Sequence, residues 1–213
     1  MNFEQLNKTF NTEFTNRLYE KWHIFYEIYE ACKNEFTKGC GSYLFDGTTY
    51  KYCPLMYEKQ ELLYNCAKNA KNVLEIGSYV GHSLFIMLLA NPDLKITCID
   101  IEDQFTKPAV DVLNKHFNNA IRFIHADSLT ALDSLHERYD FFHVDGYHED
   151  TYITKEFLKL KTLNKTPDNV MRILFDDEGC LRPLQNFIFM NHHVLKVVKP
   201  RCPWANVYFE IQL

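Results

Sequence analysis

VLEIGSYVGHS, residues 73–83, is the stretch on which the architecture turns. Val73, Leu74 and Ile76 make a short apolar run suited to a buried strand. Gly77 and Gly81 then interrupt it, ahead of a helical stretch at 83–90. The order is strand, tight turn, helix. Glycine lets the backbone turn sharply and approach a ligand with no Cβ in the way. The spacing here is Gly-x-x-x-Gly. The dinucleotide fingerprint Gly-x-Gly-x-x-Gly is absent, because Tyr79 and His82 stand at its second and third glycine positions.

Downstream, short apolar runs alternate with amphipathic stretches, the pattern of a parallel sheet with crossover helices. Strands are expected at 72–76, 95–101, 121–125, 139–144 and 171–175, with helices at 83–90, 108–118, 129–137, 150–163 and 182–190. Two more strands, 194–198 and 206–212, close the chain with no long helix between them. The expected fold is α/β and Rossmann-like, with seven mostly parallel strands and helices on both faces. Upstream, Phe14, Leu18, Trp22, Phe25 and Ile28 recur at spacings of three and four and give one apolar helical face. Residues 38–54, with three glycines and Pro54, read as a loop, and 57–71 as a further helix with Leu62, Leu63 and Cys66 facing inward. Residues 1–70 are therefore expected to form a helical cap, or lid, on a core spanning 71–213. Tyr43, Phe45, Tyr50 and Tyr57 are either cover for the ligand pocket or ordinary core aromatics.

Composition narrows the function. The 213 residues are 46% hydrophobic and 15% aromatic, with only 7 Gly and 7 Pro, which suits one folded domain rather than a disordered chain. A formal charge of −5 without a Lys/Arg block argues against phosphate-mediated nucleic-acid binding. Seven scattered cysteines, none in a Cys-x-x-Cys pair, read as reduced thiols, although Cys40 and Cys53 flank one loop and could pair. The N-terminus has no apolar leader, and no run reaches the roughly 18 apolar residues that span a bilayer. A soluble, cytoplasmic protein with no membrane partner is expected.

A Gly-x-x-x-Gly turn suits a ligand with an amino-acid portion and a ribose but no pyrophosphate, namely S-adenosylmethionine (SAM). Glu75 is placed for its amino group. Ser83 and the turn amides around Gly77, Ser78, Tyr79 and Gly81 are placed for its carboxylate. About twenty residues on, Asp100 followed by Ile101 closes the second strand, where an acid accepts from ribose hydroxyls. After the third strand, Asp127 and Ser128 fall at the adenine edge. The plainer alternative is a generic αβ turn with solvated strand ends.

The fourth strand runs into FFHVDGYHED and the fifth into RILFDDEG. Asp145, Asp176 and Asp177 thus converge at the carboxyl edge of the sheet, with no basic neighbour in sequence. Clustered carboxylates repel, and Mg²⁺ or another hard divalent cation relieves the repulsion through oxygen ligands. His148, three residues past Asp145, is a candidate general base. Turn chemistry at Asp145–Gly146 and an acidic helix start at 176–178 are the structural alternatives. His143, inside a strand, reads as a core histidine; His192 and His193 carry no assigned role.

VLEIGSYVGHS resembles the first motif of the catechol O-methyltransferase group, and HVDGYH with FDD resembles the related macrocin-type sugar O-methyltransferases. The resemblance covers about 62–179 and implies a class I SAM-dependent O-methyltransferase. It also implies a metal held by Asp145, Asp176 and Asp177. Catechol enzymes carry a lysine where this chain has His148 and an asparagine where it has Asp177. Both departures imply the sugar-modifying branch. The expected reaction is methyl transfer to one oxygen of a vicinal diol on a small-molecule or glycan acceptor, with His148 as base and Asp145 beside it. Competing readings are a metal-independent enzyme for a phenolic acceptor and a non-catalytic scaffold. A homo-oligomer, or a place within a longer polypeptide, is compatible with the sequence.

Overall fold

The computed structural model describes residues 10–213; the first nine residues, where the expected cap begins, lie outside it. In chain order the elements are α1 (Glu13–Glu20), α2 (His23–Ala31), α3 (Tyr57–Ala67), β1 (Asn72–Ile76), α4 (His82–Ala90), β2 (Lys95–Asp100) and α5 (Thr106–His116). They continue with β3 (Ile121–His125), α6 (Ser128–Ser134), β4 (Phe141–Val144), α7 (Asp150–Leu163), β5 (Val170–Phe175), α8 (Arg182–Asn191), β6 (His193–Val198) and β7 (Val207–Gln212). The strands form one sheet in the order β3-β2-β1-β4-β5-β7-β6. The pairs among β1 to β5 are parallel, and β7 lies antiparallel between β5 and β6. Strand order reverses between β1 and β4, which opens a crevice at the carboxyl ends of those strands.

The expected seven-stranded Rossmann-like architecture is the one observed, and boundaries differ by a few residues. The expected single apolar face at 14–28 is carried by two helices. Thr12 caps α1 through a reciprocal side-chain and backbone exchange with Thr15, and Lys21 leaves helical geometry at φ −110° and ψ 19°. α5 starts ahead of its expected position, at Thr106. Pro108 lies in the first turn, where its missing N–H has no helical carbonyl to meet. α6 ends early, at Ser134.

The sheet is packed on both faces. One core joins β-strand residues to α6, α7 and α8 through Leu132, Phe157 and Ile188. The other joins the opposite face to α4 and α5 and takes in Phe14, Leu18, Phe25 and Ile28 of the N-terminal helices. α1 and α3 lie against α4, and α2 against α5, so these helices flank the sheet's covering layer. Tyr43, Phe45, Tyr50 and Tyr57 are at most 8% exposed and belong to this core, the second of the two readings given above, and none of them lines the cavity beside the Gly77 turn. His82 is buried too, its Nε2 2.7 Å from the Tyr50 hydroxyl, and burial pushes its pKa down to about 3. All seven cysteines are unpaired, Cys40 and Cys53 included. Among the described residues no helix is long and apolar enough to cross a membrane.

Candidate active site

The crevice between β1 and β4 is built by close backbone approach. Gly77 has φ +77°, and a Cβ there would lie 2.2 Å from the Asp145 carbonyl oxygen, so any side chain would force the two turns apart. The pairing is direct: Asp145 N–H donates to Ile76 O at 2.7 Å. Gly81, at φ +70°, opens α4 and sits against Ala109 of α5.

Asp100 ties the turn to the end of β2. Its Oδ2 accepts from the Ser78 and Tyr79 amides at 2.8 and 2.9 Å and from Thr106 Oγ1 at 3.1 Å, while Oδ1 accepts from Glu102 N–H at 3.0 Å. A cavity of about 290 Å³ opens beside it. Of the residues expected to bind the cofactor, Gly77, Tyr79, Asp100, Ile101, Asp127, Ser128 and Asp145 line this cavity. Glu75, Ser78, Gly81 and Ser83 do not. Glu75 is fully buried, with one oxygen accepting from Ser78 Oγ and the other 2.7 Å from His143 Nδ1. Both oxygens are thereby engaged by protein, and Glu75 stands behind the cavity wall rather than in it. His143 Nε2 lies 2.9 Å from the Tyr43 hydroxyl. The tautomer that satisfies both contacts donates from Nδ1 and accepts at Nε2. The histidine is thus the satisfied core residue that its place inside a strand suggested.

Asp127 is the N-cap of α6. One oxygen accepts from Thr130 N–H at 3.0 Å and the other from the Tyr152 hydroxyl, and these bonds hold its carboxyl below the usual range. Ser128 Oγ donates to Glu156, a residue of α7 that no motif had singled out. Glu156 is 1% exposed, lines the cavity, and leaves Oε2 buried without a partner. Burial pushes its pKa up to about 7. Tyr147 and Tyr152 also line the cavity and were likewise missed. The only sequence signal for the α7 pair was their spacing, since Tyr152 and Glu156 are four residues apart on one helix.

At the other end of the crevice the acid cluster forms, with a change of membership. Ligand atoms of Asp145, His148 and Asp177 lie within 4.8 Å of one another. Asp176 is instead engaged by Lys59 of α3, whose ammonium is 2.8 Å from Oδ2 and 4.5 Å from the Tyr43 ring centre. Both partners are almost wholly buried. The cluster therefore has a basic neighbour in space, from 117 residues away, although none stands beside it in sequence. Asp176 Oδ1 and His148 Nε2 remain buried and unpartnered. Burial, and then the Asp176 charge, push the Asp145 carboxyl well above the usual range; Asp177 is raised for the same two reasons. Asp177 also adopts a left-handed backbone at φ 49°, which Asp tolerates better than most residues. Oxygen-rich donors, unpartnered polar atoms and carboxyls that resist ionising together fit a divalent cation.

Three comparisons bear on this geometry. Tapetum-specific methyltransferase 1 of Arabidopsis thaliana is 37% identical over 99 residues, which cover 43% of this chain and 42% of that protein. Caffeoyl-CoA O-methyltransferase 5 of Nicotiana tabacum is 38% identical over 93 residues, covering 40% of this chain and 38% of that protein. The matched segments thus span less than half the length of these curated relatives. Among solved structures, an O-methyltransferase from Bacillus cereus in complex with SAH superposes with a TM-score of 0.62 at 12% identity, over 89% of this chain and 90% of that one. That likeness speaks for the fold. The family model described as O-methyltransferase matches residues 60–167, just over half of the 213, a span that includes the Gly77 turn, Asp100, Asp145 and His148. The chain belongs to the O-methyltransferase family.

Proposed function

We propose that this protein is a SAM-dependent O-methyltransferase that uses a divalent cation and takes an acceptor with vicinal hydroxyls, a sugar diol first among them. The observation that carries the reading is the convergence of Asp145, His148 and Asp177 at one end of a crevice whose other end is lined by Asp100 and Glu156. SAM supplies an electrophilic methyl group, and a divalent cation supplies charge that favours a deprotonated hydroxyl. Asp100, which lines the cavity, would orient the ribose. Asp127, Ser128 and Glu156 would surround the adenine. Asp145 and Asp177 would hold the cation, while Lys59 keeps Asp176 fixed beside them. His148 is the base: Nδ1 faces Asp177 Oδ2 at 3.8 Å, which leaves the unpartnered Nε2 to take the hydroxyl proton. Most of the acceleration in such a reaction comes from alignment of nucleophile, carbon and leaving group. A phenolic acceptor is the second reading, favoured by the caffeoyl-CoA O-methyltransferases among the matched relatives.

Calorimetric titration of SAM with Mg²⁺ and again with EDTA tests the cofactor, and a panel of sugar diols and catechols with and without metal then tests the acceptor. SAM binding, with transfer lost in EDTA, is the expected result. Transfer that survives EDTA removes the cation, and no SAM binding in either condition removes the reading altogether. In His148→Ala, SAM affinity is expected to hold while transfer falls by about 10²–10⁴-fold.

A further inference from the structure

Among the described residues a second group of metal-ligating side chains converges outside the crevice: His23, Glu27 and His116, with ligand atoms all within 4.8 Å of one another. His23 opens α2 and Glu27 follows one turn later, so both project from the same helical face. His116 is the last residue of α5, the helix against which α2 packs. Its Nε2 lies 2.8 Å from Glu27 Oε2, and the two imidazole rings meet edge to face at 5.5 Å between centres.

We propose that His23, Glu27 and His116 form a binding site for Zn²⁺ or a similar borderline-soft divalent ion. Two imidazoles and one carboxylate are the donors that such an ion prefers, whereas Mg²⁺ selects oxygen. The donor set therefore differs in kind from the acid cluster of the crevice. Three protein ligands leave a fourth position to water. All three side chains lie at the surface or partly covered, so the ion can enter from solvent and small rotamer changes can close the ligands around it. His116 sits at a helix C-terminus, where the unpaired carbonyls favour a cation. An ion held here links α2 to α5, and α5 begins at Thr106, whose hydroxyl supports Asp100 and Tyr79. Binding to the folded form alone raises stability by mass action.

The test titrates Zn²⁺ into the chelator-stripped full chain by calorimetry, in the unaltered protein and in His23→Ala, His116→Ala and Asp177→Asn, with circular dichroism to verify folding. Zn²⁺ can also enter the acid cluster, so sites are counted by which variant loses them. The expected result is one binding event that persists in Asp177→Asn and weakens at least about tenfold in both histidine variants, accompanied by a zinc-dependent rise in Tm that those variants lose. Should His116→Ala fail to fold, His116→Gln replaces it, retaining bulk while removing an imidazole. Zn²⁺ binding that is unchanged in the histidine variants, or abolished by Asp177→Asn alone, overturns the proposal. So does the absence of any Zn²⁺ binding.

Discussion

Glu156 shows how one buried carboxyl couples the pocket to pH. It is covered by protein, with a single bond from Ser128 and one oxygen without a partner, so ionising it costs solvation that little replaces. Burial raises it from its ordinary value of 4.5 to about 7. The folded state therefore keeps a proton that the unfolded chain releases earlier. Its stabilising contribution is complete below about 4.5 and is lost as pH rises through about 7, by roughly 3 kcal/mol at 1.36 kcal/mol per pKa unit. Glu156→Gln, which stays neutral, is expected to match the parent near pH 4 and exceed it near pH 8 by up to that amount. Guanidinium midpoints at the two pH values check this. A stability difference that does not change between them would mean that Glu156 is not titrating in this range.

Lys59 and Asp176 belong to the scale of elements, because their pairing holds α3 to the carboxyl end of β5. Removing one member of a buried pair leaves an uncompensated charge, at a cost of about 3–5 kcal/mol. Lys59→Met is expected to lose that much in urea denaturation, and the double variant Lys59→Met/Asp176→Asn to recover a large part of it. A double variant as unstable as the single one would place the loss in packing against Tyr43 instead. This pair also marks the limit of what could be read from sequence. The strands were legible because buried parallel strands are short apolar runs, and Glu75, Asp100, Asp145 and Asp176 end or interrupt such runs at predictable places. The acid cluster followed, since neighbouring parallel strands deliver their carboxyl ends to one edge. Lys59 did not, because a partner 117 residues away leaves no local pattern. Nor did the inward turn of Glu75, whose neighbour His143 arrives from another strand at a register known only once β1 and β4 are paired. Asp127 carried a local signature of its cap role, an acid one residue ahead of a helix, which the reading of it as an adenine-edge residue left unused.

At the scale of the whole molecule the decisive fact is that the N-terminal helices share their core with the sheet. Phe25 is fully buried, stacked between Trp22 at 4.4 Å and Tyr50 at 4.3 Å, and its ring lies 5.1 Å from that of His82 at the start of α4. Loss of the ring would empty a volume bounded by α2, the following loop and α4 together. A Phe→Ala change in such a site costs about 3–5 kcal/mol. If the described residues unfold as one unit, that cost falls on the whole chain. The protein has two tryptophans, Trp22 and Trp204, and Trp204→Phe leaves Trp22 to report on the N-terminal helices alone. In that background, Trp22 fluorescence and far-UV circular dichroism are expected to trace coincident urea transitions, and Phe25→Ala to move both midpoints down by the same amount. A lid that folds independently would behave otherwise: the fluorescence transition would shift to lower urea while the bulk of the circular dichroism signal stayed where it was. Coincidence would mean that residues flanking α4 and α5 are part of what holds the Gly77 turn in place, so that substitutions far from the crevice lower the population in which that turn is formed.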